Sequence, residues 1–126
     1  MRVYLDNCCF NRPFDDQSSL IIHLETEAKL HVQELIRQGK LMLFWSYMLD
    51  YENGNNPYEE KKNAIAPWKK IEDGYCLSSD DILSAGRKIM KHGIKAKDAL
   101  HIACAVKCGC EYFITTDNRL ISKTMM

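Results

Sequence analysis

A chain of 126 residues is one domain's worth of sequence, and with 17 basic and 17 acidic side chains its zero net charge gives no global attraction to a polyanion. Hydrophobic residues make up 46% and charged residues 27%, which argues against disorder, collagen-like repeats and coiled coils. The longest apolar stretches, residues 41–45 and 99–106, fall far short of the roughly 20 residues that cross a bilayer, so no membrane partner is expected.

The elements follow in chain order. Residues 2–5 predict a short strand ending abruptly at Asp6 and Asn7, with a loop through Pro13. Asp15, Asp16 and Ser18 are N-cap candidates for a long helix, which carries Leu20, Ile21, Leu24, Ala28, Val32, Leu35 and Ile36 at helical spacing and stops at Gly39. Residues 41–45 are continuously apolar, as expected of a strand covered on both faces. Ser46 caps a helix to about Glu52, and a further helix from Tyr58 is expected to break or kink at Ala66, before Pro67. A weaker strand at 74–77 precedes a helix capped by Ser79 or Asp80 and stopped by Gly93. The next helix runs over 97–107 to Gly109, a strand follows at 111–115, and Asp117 begins a last helical turn. Alternating elements of these lengths predict an α/β fold, with a parallel sheet flanked by helices on both faces.

The N-terminus enters its first strand at once, without a charged start, a long apolar run and a cleavage site, so a cytoplasmic location is expected. In that compartment the six cysteines are expected as thiols. Cys104, Cys108 and Cys110 lack the paired spacing of a zinc site and suit small buried hydrophobes near a helix end.

Charge is distributed unevenly. Residues 61–97 hold nine basic side chains against four acidic ones, through Lys61, Lys62, Lys69, Lys70, Arg87, Lys88, Lys91, Lys95 and Lys97. A solvated helix face explains such a run in most proteins; beside a phosphate-processing site it becomes a candidate surface for RNA.

Ligands of parallel sheets bind beyond the carboxyl ends of the strands, where Asp6 and Asp117 are predicted to sit. Each has an ordinary explanation as a loop or helix cap, and Asp98 at a helix start has one in the helix dipole. Phosphodiester hydrolysis needs an activated water and neutralised charge, which Mg²⁺ or Mn²⁺ held by carboxylates supplies.

The segments VYLDNCCFNRPF, SYMLDYENGNNP, KAKDALHIACAV and EYFITTDNRL resemble, in order and spacing, the acidic motifs of PIN-domain proteins, including VapC-like ribonuclease toxins. The resemblance covers essentially the whole chain as one domain. It implies a Rossmann-like three-layer sandwich and Mg²⁺- or Mn²⁺-dependent cleavage of RNA, often by the toxin of a toxin–antitoxin pair with an antitoxin protein as partner. The family's acids fall on Asp6, Glu52, Asp98 and Asp117, with Asp6, Asp98 and Asp117 as metal ligands, and Thr115 falls on the hydroxyl residue that hydrogen-bonds within the site. On a helix Asp50 and Glu52 point to nearly opposite sides, so one of them faces the metal; Asp50 is the alternative to Glu52. Asn118 is an optional contact.

Asn7, Asn11 and Arg12, in the expected loop, are candidates to hold the RNA backbone, Arg12 foremost, against turn chemistry around Pro13. His101, three residues after Asp98, is a candidate partner of that acid or a satisfied, partly buried histidine. PIN domains continue past the last acid through a helix to a final edge strand, which residues 118–126 are too few to supply; an exposed sheet edge would favour a homodimer or another pairing partner. The expected function is a metal-dependent endoribonuclease. The alternative is an inactive module of the same fold that binds RNA or protein.

Overall fold

The computed structural model describes residues 1–11 and 17–115, without the side chain of Asn11. Val3, Tyr4 and Leu5 are almost wholly buried, so β1 (Arg2–Leu5) is covered on both faces, as a central parallel strand must be. It pairs with β2 (Met42–Ser46) on one side, Val3 opposite Leu43, and with β4 (Tyr112–Ile114) on the other, Tyr4 opposite Phe113. β2 in turn pairs with β3 (Gly74–Cys76). All pairings are parallel, and the order is β3-β2-β1-β4.

Six helices accompany this sheet among the described residues: α1 (Asn7–Asn11), α2 (Leu20–Arg37), α3 (Tyr47–Gly54), α4 (Glu59–Lys69), α5 (Asp80–Met90) and α6 (Ala96–Lys107). The architecture is α/β and compatible with a Rossmann-like sandwich. From β1 the chain winds outward through β2 to β3, then returns across the sheet to place β4 on the other side of β1. The winding direction therefore reverses between β1 and β4. Side chains leaving the carboxyl ends of those two strands line a crevice instead of meeting a crossover.

The core holds Trp45, Tyr4, Phe10, Leu5, Leu43, Leu49 and Ile65, all at most 2% exposed. Phe10 of α1 packs on Trp45 with ring centroids 5.2 Å apart and on Trp68 of α4 at 6.3 Å. α6 lies against the sheet and carries α5 on its outer side, where Gly86 allows close approach: a Cβ there would sit 3.0 Å from Leu100. Gly93 and Gly109, at φ of 82° and 69°, take the left-handed conformation that lets the chain leave α5 and α6.

Three expectations are corrected. Asn7 to Asn11 form a helical turn instead of a loop, because burial of Cys9 and Phe10 at adjacent positions demands a local coil that turns both inward; the Cys9 N–H closes it on the Asp6 carbonyl at 2.9 Å. α4 does not break at Ala66 but runs through Pro67 to Lys69. Proline removes one donor close to the helix end, and Trp68 beyond it is held by Phe10 and by the Arg37 guanidinium, 4.8 Å above its ring. In α2 the inward stripe is Thr26, Lys29, Gln33 and Ile36, while Leu20, Ile21 and Leu24 are exposed. Apolar residues on α2 are spread too widely around the helix for periodicity to select its inner face, and burial draws the Lys29 amine down to about 8. The helix begins after Ser19, with no side-chain cap; the cap candidates Asp15 and Asp16 lie outside the described residues.

Candidate active site

β1 delivers Asp6 to the carboxyl edge of the sheet, where it is only 5% exposed. A carboxylate in such a place must be matched by donors. The Asn7 N–H donates to Oδ1 at 2.7 Å and the Thr115 hydroxyl to Oδ2 at 2.9 Å, with the Cys8 thiol 3.6 Å from Oδ2. The Thr115 contact joins the ends of β1 and β4 across the crevice, so this hydroxyl orients the acid directly.

Glu52 arrives from α3, whose start is fixed by Ser46: its Oγ accepts the Leu49 N–H at 3.2 Å. One helical turn and a half later Glu52 meets His101 of α6, with Oε1 2.7 Å from Nε2. The same nitrogen lies 4.0 Å from Asp6 Oδ1, so the two carboxylates flank one imidazole. His101 itself is fully buried, and its Nε2 meets Glu52, a partner 49 residues away that its helix spacing does not reveal. Its Nδ1 is bonded to the Tyr4 hydroxyl, which also lies 2.6 Å from Ser46 Oγ. Burial pushes the Tyr4 phenol well above its usual range, so it remains a neutral hydroxyl.

Asp98 stands in the first turn of α6, half-buried. It lines, with Asp6, Asn7, Cys8 and Glu52, a single cleft of about 900 Å³. The cleft is also lined by Asn55, Asn56, Pro57 and Tyr58 from the α3–α4 turn and by Lys61, Lys95 and Lys97. The Lys61 amine sits 4.6 Å over the Tyr58 ring and that of Lys97 5.7 Å over Tyr51. Acids and lysines thus line the same cleft, and at the start of α6 Lys95 and Lys97 precede Asp98 in the chain.

Asp50 is not in this cleft. It points across α3 and accepts from Trp45 Nε1 at 2.9 Å, from Lys69 Nζ at 2.9 Å and from the Tyr75 hydroxyl. Burial alone would raise its carboxyl, but these donors and the Lys69 charge outweigh that and hold it below the ordinary value. Between the two helix acids, then, Glu52 faces the cleft.

Arg12, Asp117 and Asn118 lie outside the described residues. Among the described residues no group of three or more acids, histidines or cysteines is close enough to hold a metal ion. The donor chemistry nonetheless fits a hard cation: three carboxylates, one of them oriented by a hydroxyl and a backbone N–H, line the same water-accessible cleft. The cysteines at the far end of α6 do not offer a softer site. None of the six cysteines forms a disulfide, and burial foremost pushes Cys76, Cys104 and Cys110 to about 11 and Cys108 to about 12. None of these four is a thiolate near neutral pH.

No protein-family model matches the chain, and no curated protein matches it either. Geometry and chemistry therefore carry the assignment. The participants that sequence reasoning missed are Tyr4, Ser46 and Cys8. Tyr4 and Ser46 stand in apolar strands, 97 and 42 residues from the partners they bind, so no local signal marks them. Among the described residues no helix is long and apolar enough to cross a membrane.

Proposed function

We propose that this cleft is the active site of a PIN-like, Mg²⁺- or Mn²⁺-dependent endoribonuclease. The observation that carries the reading is that Asp6, Glu52 and Asp98, from three separate parts of the chain, line one cleft at the point where the sheet reverses its winding, together with Lys61, Lys95 and Lys97. In this reading Asp6 and Asp98, joined by Asp117, hold the cation. A bound Mg²⁺ or Mn²⁺ supplies Lewis-acid neutralisation of phosphate charge and a more acidic water.

The chain's own residues supply the rest. Glu52, on the solvent side of His101, accepts the proton of the attacking water. Thr115 and the Asn7 N–H keep the Asp6 carboxylate aimed into the cleft, and the Asn7 side chain is within the same wall to meet the RNA backbone. The cleft lysines would meet the phosphates, a local positive charge that would serve polyanion binding in a protein with no net charge.

The test is cleavage of RNA by purified protein in Mn²⁺, comparing wild type with Asp6→Asn and Asp117→Asn. Loss of cleavage in both variants supports the reading; either variant cutting as fast as wild type ends it. A second reading is favoured by one observation, that the described carboxylates alone do not close a three-ligand group. It is a binding module of the same fold, which would retain RNA affinity in EDTA and turn nothing over.

A further inference from the structure

Tyr4, Ser46 and His101 are completely buried, and each carries polar atoms that must be matched inside the protein. They match one another in a line that ends at the cleft: Ser46 Oγ, the Tyr4 hydroxyl, the two nitrogens of His101 and Glu52 Oε1. With Glu52 ionised, one direction of donation uses every proton along it. Ser46 donates to Tyr4, Tyr4 to Nδ1, and Nε2–H to Glu52. For a neutral imidazole the opposite direction sets a bare Nε2 lone pair against a carboxylate oxygen at 2.7 Å, which is repulsive.

The line is also rigidly mounted. Tyr4 stacks on Phe113 with centroids 5.6 Å apart and meets His101 edge-on at 5.7 Å, and Ser46 is pinned by the Leu49 N–H. A single imidazole thus joins the interior of the sheet to the one cleft acid carried by α3. At Nε2 the Glu52 oxygen is the acceptor within hydrogen-bond distance, at 2.7 Å against 4.0 Å for Asp6 Oδ1.

We propose that His101 is a positioning residue for Glu52: the buried Ser46–Tyr4 pair fixes its tautomer as Nε2–H, and that proton holds the Glu52 carboxylate toward the water-accessible side of the cleft. The proposal rests on the nuclease reading only where activity is measured. Fixing the tautomer from behind and the carboxylate from in front is the arrangement that supports ligands and bases in enzyme sites, where losing such a partner costs about 10- to 100-fold.

Long-range ¹H–¹⁵N correlation of histidine-labelled protein reads the tautomer, with the His101 signal assigned by its loss in His101→Gln. The expected spectrum has Nε2 protonated and Nδ1 as a hydrogen-bonded acceptor. Glu52→Gln, at the cleft surface, shifts the Nε2 proton upfield, and Tyr4→Phe moves Nδ1 toward the value of a free acceptor. With RNA in Mn²⁺, Tyr4→Phe lowers kcat about 10-fold and leaves KM within about twofold, and it has no further effect on the residual rate of Glu52→Gln. A proton on Nδ1, alone or in an imidazolium, overturns the proposal; so does a Tyr4→Phe loss of equal size with and without the Glu52 carboxylate. If Tyr4→Phe does not fold, the tautomer and the Glu52→Gln shift decide. Wild-type protein that cuts no RNA sinks the nuclease reading, and the same two spectroscopic results still decide the His101–Glu52 link.

Discussion

Asp50 and Glu52 are two residues apart on α3, and the protein treats them in opposite ways. Asp50 is gripped by three donors from β2, α4 and β3, so its carboxylate is saturated and ties α3 and α4 to the sheet. Glu52 has one buried donor, His101, and opens on the cleft with a side chain 18% exposed. Of the two, the acid with more partners is the structural one. Exposure does not separate them, since the Asp50 side chain is 35% exposed; unfilled lone pairs on a carboxylate that lines the cleft mark the acid able to work on a ligand.

The sharpest way to break that contrast is to neutralise each acid in turn. Glu52→Gln is expected to lower Mn²⁺-dependent RNA cleavage by roughly 100-fold or more, the contribution typical of a positioned general base, whereas Asp50→Asn leaves the rate within about twofold. Equal losses in single-turnover assays would erase the distinction. Next in size is stability. Asp50→Asn weakens three charge-assisted hydrogen bonds at a partly exposed site and should cost about 1–2 kcal/mol in denaturant unfolding, with Glu52→Gln costing less.

The pH dependence sharpens the comparison further. Because Asp50 is held below the ordinary carboxylate value, the unfolded chain binds its proton first as pH falls. Its stabilisation is therefore present above about pH 4, the unfolded value, and is lost as pH drops through the lower folded value. The stability gap between wild type and Asp50→Asn should close across that acid window; a gap that stays constant down to pH 2 would contradict the assignment of these donors. The smallest effect concerns the cleft lysines: Lys97→Ala should reduce the salt slope of RNA binding by about one unit while leaving Tm nearly unchanged.

Much of this contrast could be anticipated, and part could not. The i to i+2 spacing on a helix dictates that Asp50 and Glu52 face different ways, and the abrupt change from apolar strand to acid marks Asp6 as a strand-end residue. The β-strands and the Gly-terminated helices followed from equally local signals, namely continuous apolar runs and left-handed stops. Which helix acid faces the cleft is decided elsewhere, by Trp45, Lys69 and Tyr75 on one side and His101 on the other, through contacts up to 49 residues apart. The α1 turn was hidden for a similar reason. Its coil is enforced by Phe10 meeting Trp45, and not by any helical period within five residues. Of the basic segment, Lys61, Lys95 and Lys97 reach the cleft while Lys69 is drawn to Asp50, a division that charge counting cannot make.

Divalent-metal binding tests the central claim most directly. Mn²⁺ titration by calorimetry or electron paramagnetic resonance should give one saturable site of unchanged affinity in wild type and Asp50→Asn, and loss of that site in Asp6→Asn. Mn²⁺ affinity that survives Asp6→Asn intact, or that falls with Asp50→Asn instead, would contradict the placement of a metal-dependent active site in this cleft.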